Sequence, residues 1–176
     1  LNATAASLLG FLHEKPMTGY DLLQTAIERI GNFWSLTRSQ VYSELDKLAK
    51  QGYIEVTARG QRDSRTFTIN DRGKKAFAQW LDDKPAREQI RFPMLLTVSF
   101  ASYIDQRKLL SMLQEYRQAH SLQLEAYQQQ QSILCTIPEA KDGLKTLSFG
   151  IAYEKMTLAW IDDTLRELLN EAESSA

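Results

Sequence analysis

Sulfur and ring-constrained residues are scarce in this chain, which has one cysteine, four prolines and two histidines among 176 residues. A lone Cys135 excludes an intramolecular disulfide framework and suits a reducing compartment. Between Leu134 and Thr136 it reads as a small packed hydrophobe rather than a redox sensor. His13 and His120 sit in no catalytic motif. The chain also lacks a glycine-rich phosphate loop, zinc-type cysteine spacing and a carboxylate–histidine cluster. No enzyme, metal site or cofactor is therefore expected. The longest apolar stretch, "FPMLLTVSFASYI", is interrupted by Thr97, Ser99 and Ser102. It falls short of the roughly 20 apolar residues of a membrane span and predicts a buried helix. The start, "LNATAASLLGFLHEKP", has no basic n-region, so no secretory signal is expected, and without an initiating Met a residue or more is expected to precede it. These absences point to a soluble, cytoplasmic protein with no membrane partner.

What is present is ordinary in bulk and uneven in distribution. The chain is 43% hydrophobic and 24% charged, enough for a core. Net charge is −1, yet from Arg38 to Lys75 nine Lys/Arg face five Asp/Glu, a balance of +4. From Pro85 onward nine basic residues face twelve acidic ones, a balance of −3. A basic half joined to an acidic half suggests two jobs.

Asn2 to His13 reads as a helix, with Ala5, Leu8, Leu9 and Leu12 on one face, and Pro16 prevents its continuation. Thr18 followed by Asp21 resembles a capping box and opens a second helix to Ile30. Gly31-Asn32 is its expected stop, since both tolerate a left-handed conformation. Thr37 and Gln40 repeat the capping pattern before a third helix, which buries Val41, Leu45 and Leu48 and closes at Gly52. Ile54 and Val56 then alternate in a strand over Tyr53–Ala58, and a second strand spans Arg65–Ile69. The tip between them, "RGQRDS", holds Gly60 for a turn together with Arg59 and Arg62. Asn70-Asp71 caps a fourth helix. The order α-α-α-β-β-α is that of a winged helix-turn-helix.

Lys84–Arg87 is the candidate linker, dividing the chain into 1–84 and 85–176. Residues 105–134 contain neither Gly nor Pro and predict a helix of about 45 Å. Leu109, Leu110, Leu113, Tyr116, Arg117, His120, Leu124 and Tyr127 form its stripe. Pro138 and Gly143 are expected to break the pattern, and a last helix starts within 140–148 and reaches about Glu171. Its apolar positions include Leu147, Ile151, Met156, Trp160 and Leu165. The run "YQQQQS" reads as a neutral solvated face rather than an aggregating tract. Two such helices bury little alone, so the hairpin is expected to dimerise through Leu109, Leu113, Tyr116, Leu124, Ile151, Leu158 and Leu165. The fold class is thus mostly α (α+β), an N-terminal winged helix-turn-helix followed by a helical dimerisation domain.

The third helix carries the chemistry that a major groove requires, short polar and basic residues opposite an apolar face. Arg38 suits guanine N7 and O6, and Gln40 suits adenine N6 and N7. Ser39, Tyr42 and Ser43 can reach phosphates or base edges, Thr37 opens the helix, and Lys47 adds charge. Glu44 and Asp46 would repel phosphate unless they lie at the rim or pair with Lys47 and Lys50. Arg59, Arg62 and Arg65 on the wing suit backbone or minor-groove contact. The expected partner is double-stranded DNA.

"LLGFLHEKPMTGYDL", residues 8–22, resembles the opening of PadR-type transcriptional regulators. "VYSELDKLAKQGYI" resembles that family's recognition helix, and "TFTINDRGKKAF…WL" its strand-then-helix element after the wing. The resemblance covers residues 5–82. The remainder is similar in pattern to the long C-terminal domain of the virulence-activator subgroup. It implies homodimers on imperfect inverted repeats, with Arg38 to Lys47 on the recognition helix and Arg59 to Arg65 on the wing. One departure is Ser43, where many relatives have Pro. Two alternatives stay open: a winged-helix adaptor that binds protein, and a repressor that senses an aromatic small molecule through Trp34, Trp80, Trp160, Phe92, Phe100, Tyr103 and Tyr153. For those aromatics, core and interface packing is the favoured account.

Overall fold

The computed structural model of the chain describes residues 1–31, 33–59, 65–88 and 90–174, the side chains of 57–59 and 171–174 excepted. The chain divides into two compact units, Leu1–Arg87 and Glu88–Ala176.

In the first unit, helix α1 (Ala3–Glu14) starts at Asn2, whose side chain accepts from the Ala5 amide. A two-residue strand, β1 (Met17–Thr18), leads into α2 (Gly19–Ile30) through a complete Thr18–Asp21 capping box. Helix α2 ends at Ile30, at the expected Gly31-Asn32 stop. Gly31 is right-handed, with φ −60°. The Phe33 and Trp34 amides both donate to the Ile30 carbonyl, which satisfies that carbonyl of the helix end. Asn32 lies outside the described residues.

Helix α3 (Arg38–Lys50) buries Val41, Leu45 and Leu48. It closes where the Gly52 amide donates to the Ala49 carbonyl and the Tyr53 amide to the Leu48 carbonyl. That double bond pattern needs a left-handed residue, and Gly52 supplies it at φ +72°. Strand β2 (Ile54–Arg59) follows and pairs antiparallel with β3 (Arg65–Ile69), and β1 joins the other edge of β3. A register shift between Val56 and Ala58 leaves one residue extra on β2. Ile54 is buried, but Val56 on the same face stays 42% exposed, because β2 is an edge strand leaving the helices there.

Helix α4 (Asp71–Asp82) is pinned to the end of α3. Asn70 caps it by accepting from the Gly73 amide, and its Nδ2 donates to the Gly52 carbonyl at 3.1 Å. Gly73 approaches so closely that a Cβ there would lie 2.2 Å from the Tyr53 carbonyl oxygen. One core joins these elements, with Leu8, Leu9 and Leu12 of α1 meeting Leu22, Val41, Leu45, Leu48, Phe67 and Ile69. Each fully buried aliphatic of this kind stabilises by about 1.5–3 kcal/mol relative to exposure.

The second unit contains a short helix α5 (Pro93–Val98), a 3-10 turn at Ala101–Tyr103 and the long helix α6 (Gln106–Leu134). A 3-10 turn at Pro138–Ala140 precedes α7 (Lys141–Ser174). Three expectations change here. The apolar segment is not one buried helix: α5 stops at Val98 and buries no residue fully. Only Met94, Val98, Ala101 and Ile104 lie against the core of Leu109, Leu113 and Ile161, while Tyr103 is 88% exposed. A segment this short lays down one side only. Gly143 is inside α7 and breaks nothing, so the Pro138 turn alone separates the long helices. Met156, expected among the apolar contacts of α7, points outward instead.

Gly73→Ala should lower stability by about 1–3 kcal/mol, because a methyl group meets backbone and not a movable side chain. Gly143→Ala, with nothing within 4 Å, should raise it by about 0.5 kcal/mol through helix propensity. Urea unfolding midpoints measure both, and a Gly73→Ala midpoint at or above wild type would refute the close approach.

Candidate nucleic-acid interface

The outer face of α3 follows from its capping box and its buried seam. With Val41, Leu45 and Leu48 turned inward, Thr37, Arg38, Ser39, Gln40, Ser43 and Lys47 are all exposed, and Tyr42 is half-buried. The box at its start is complete. The Gln40 amide donates to Thr37 Oγ1, while Gln40 Oε1 accepts from the Thr37 amide at 2.8 Å and from its hydroxyl at 3.0 Å. This changes the expected role of Gln40. Bidentate adenine reading needs both ends of the carboxamide, and the cap occupies its oxygen.

The two acids on α3 are both paired. Glu44 takes Lys47 at 2.7 Å, as expected from the spacing. Asp46 reaches not Lys50 but Arg65 of β3, at 3.2 Å, so α3 and the ribbon are tied by an ion pair. Arg65 also lies over the Phe67 ring at 5.5 Å. Arg59 and Arg65 are register partners across the ribbon. Like charges directly opposite are unfavourable in a sheet, and Asp46 offsets one of them. The side chain of Arg59, and Gly60 and Arg62 altogether, lie outside the described residues. Among the described residues, Arg38 has no carboxylate partner. Its guanidinium stands 5.6 Å from the centre of the Tyr42 ring, one helical turn on.

In the second unit α6 and α7 run antiparallel. Arg117 forms a two-pronged ion pair with Asp162, at 2.5 and 3.3 Å. That pairing holds the Asp162 carboxyl below its usual range. Deeper in the seam, His120 Nδ1 hydrogen-bonds the buried Glu154 carboxylate. Tyr116 meets the His120 ring edge-on at 4.3 Å, and Phe92 stacks on Tyr153 at 6.1 Å. Burial, then Tyr153 and Glu154, push the Tyr116 phenol up, and burial with Glu154 does the same to Tyr127. Sequence reading placed His120 in the stripe but missed Glu154, since a single acid in a long helix carries no signal of burial.

The expected dimer residues fall mostly on this internal seam. Leu109 and Leu113 are completely covered within the chain, Ile151 is buried, and Tyr116 and Leu165 pack on the same core. Leu124 and Leu158 are half-buried. Completely covered side chains have no surface left for a second copy. The exposed large apolar groups of α7 are instead Phe149 at 66%, Met156 at 60% and Leu169 at 50%. The expected aromatic set disperses as well. Phe92 and Tyr153 stack, Trp160 packs on the second unit's core, Trp80 stacks on Phe77 in the first, and Trp34, Phe100 and Tyr103 are exposed. Cys135 is exposed at the end of α6 and not packed, its thiol donating to the Ser132 carbonyl.

A capped polar helix beside an antiparallel ribbon, within a four-helix unit, is the arrangement of a winged helix-turn-helix domain. Residues 8–79 match the transcriptional regulator PadR-like family, and residues 90–169 match the virulence activator alpha C-terminal family. The chain thus carries a PadR-like transcriptional-regulator domain followed by a virulence-activator-type C-terminal region. It is 29% identical over 122 residues to the negative transcriptional regulator PadR of Bacillus subtilis, covering 67% of each chain. A probable transcriptional regulator of Mycobacterium tuberculosis is 23% identical over 92% of this chain and 95% of its own. The fold matches that of Bacillus subtilis PadR in complex with operator DNA at a TM-score of 0.81, with 23% identity over 95% of this chain and 99% of that one. It matches the Vibrio cholerae virulence activator AphA at 0.75, with 21% identity over 99% and 100%. No helix among the described residues is long and apolar enough to cross a membrane.

Gln40→Ala should destabilise by about 0.5–1 kcal/mol through loss of the box, and Gln40→Glu should not, since Glu restores the acceptor. Thermal unfolding of the two variants tests the cap, and equal losses in both would refute it.

Proposed function

We propose that the chain binds a pseudo-palindromic duplex operator as a homodimer, acting in the cytoplasm by binding and not by catalysis. The observation that carries this reading is the state of α3: its acids are paired within the fold, the residues of its first turn are exposed, and Arg38 has no carboxylate partner among the described residues. In this reading residues 1–84 are the DNA-binding domain and 85–176 the dimerisation domain. Arg38 reads a guanine edge. Ser39 and Ser43 contact phosphates or base edges near Thr37 and the helix start. Lys47 and Arg65 stay paired with their carboxylates and turn their remaining N–H donors to phosphates, and Arg59 and Arg62 extend the backbone contact. Gln40 contributes only its amide donors.

The second copy would dock on the second unit. Phe149, Ala152, Met156 and Ala159 follow spacings of three and four along α7, and all four are exposed. An apolar line of this kind is the usual mark of an interaction face. A symmetric pair would hold its recognition helices about 34–36 Å apart, or a multiple of that.

A ligand response is a second reading. Bacillus subtilis PadR has a crystal structure in complex with p-coumaric acid. Here the stacked Phe92 and Tyr153 adjoin the buried His120–Glu154 pair, an aromatic and polar cluster suited to a flat phenolic effector.

Arg38→Ala should weaken binding to a selected operator by about 1–3 kcal/mol with the fold retained. Wild-type affinity should fall steeply with salt, as counterion release demands and as a protein-binding adaptor would not show. Phe149→Glu combined with Met156→Glu should shift the full chain to monomer in sedimentation and weaken operator binding, because linked half-sites act at high effective concentration. A dimer that survives this double change would place the interface elsewhere.

A further inference from the structure

Gly19, Tyr42 and Arg38 form a continuous line of contact from the start of α2 to the outer face of α3. Gly19 is the first residue of α2 and is buried. A Cβ built there would lie 2.9 Å from both Cε1 and Cζ of Tyr42 and 3.2 Å from its hydroxyl oxygen. The ring therefore occupies the place where any other residue would carry a side chain. Its half-buried body is held against α2, and its remaining face meets the Arg38 guanidinium at 5.6 Å. Of the described cations on this face, Lys47 and Arg65 are oriented by acids, and Arg38 is oriented by an aromatic ring.

We infer that Tyr42 is a positioning residue, which fixes the Arg38 guanidinium for base reading and is itself fixed by the missing side chain of Gly19. The inference rests on α3 being the DNA-reading helix. A long arginine side chain loses rotamer freedom whenever it reads a base. An attraction to a fixed ring removes part of that loss before DNA arrives. An acid in the same place would orient Arg38 equally well but would have to be displaced by the base. The ring leaves the forked N–H groups available, which is what bidentate guanine contact requires. The backbone of α2 is not under strain at Gly19, so a methyl group there displaces the movable ring and leaves the helix intact.

The test uses the full-length chain, the tightest duplex it selects from a randomised pool, and a random-sequence duplex as reference. The readout is the ratio of the two affinities. Arg38→Ala should lower that ratio roughly 5- to 150-fold, the worth of one bidentate base contact. Tyr42→Leu and Gly19→Ala should each lower it about tenfold, while Tyr42→Phe, which keeps the ring, should retain it. In an Arg38→Ala background, Tyr42→Leu should add nothing, because its effect passes through the arginine. Unfolding midpoints and binding to the random duplex identify any variant that fails by misfolding. Loss on Arg38→Ala with no loss on Tyr42→Leu or Gly19→Ala overturns the positioning role and leaves the reading of α3 intact. An equal loss in Tyr42→Phe and Tyr42→Leu overturns it too, by assigning the effect to the hydroxyl. No effect from Arg38→Ala overturns both.

Discussion

A helix of thirteen residues is marginal alone in water, and α3 has to lie with one face free. Its stability therefore rests on the three buried side chains of the other face, Val41, Leu45 and Leu48. The rest of the first unit serves that seam. Helix α1 supplies the leucines beneath it, the capping box fixes where it begins, and Gly52 turns the chain so that β2 leaves at once. Asn70 and Gly73 then fasten α4 to the same turn. If the seam loosened, the polar face would have no fixed orientation and the ribbon no fixed neighbour.

Electrostatics on that face are arranged by exclusion. Two carboxylates on the helix proposed to approach phosphate are an apparent contradiction, and both are paired inside the protein. The Asp46–Arg65 pair also links elements 19 positions apart in sequence. Exposed pairs of this kind contribute little to stability, so their importance lies in geometry and local charge. The second unit has a different economy. Its buried His120–Glu154 pair takes polar groups out of water, and breaking such a pair is strongly destabilising, so both side chains are locked into one register of α6 on α7.

Local signals were the legible part of the sequence. Both capping boxes, the Asn70 cap, the second strand and the 29-residue α6 follow from spacing and from breakers that act within a few residues. Gly143 was misread because glycine permits a break without requiring it. The apolar segment around α5 was misread because hydrophobicity shows that a residue can be buried, and only the neighbours decide that it is. The same limit applies to the dimer residues. A stripe at helical spacing identifies a buried face, but not whether the chain's own hairpin or a second copy covers it, and Leu109 and Leu113 went to the former. At the interface, residue types and exposure were readable, whereas pairings such as Arg65 with Asp46 depend on a turn geometry no pattern encodes.

The hydrogen bonds at the start of α3 have a consequence for the information that the helix can extract from DNA. With its carbonyl oxygen engaged by Thr37, Gln40 offers hydrogen-bond donors alone. Guanine O6 and N7, adenine N7 and thymine O4 are all acceptors in the major groove, and each would accept that donor. A base facing Gln40 would therefore be selected against cytosine more than for any one partner. In a logo of bound sequences this column would stand low beside that of Arg38, a degenerate letter written into the operator by a helix cap.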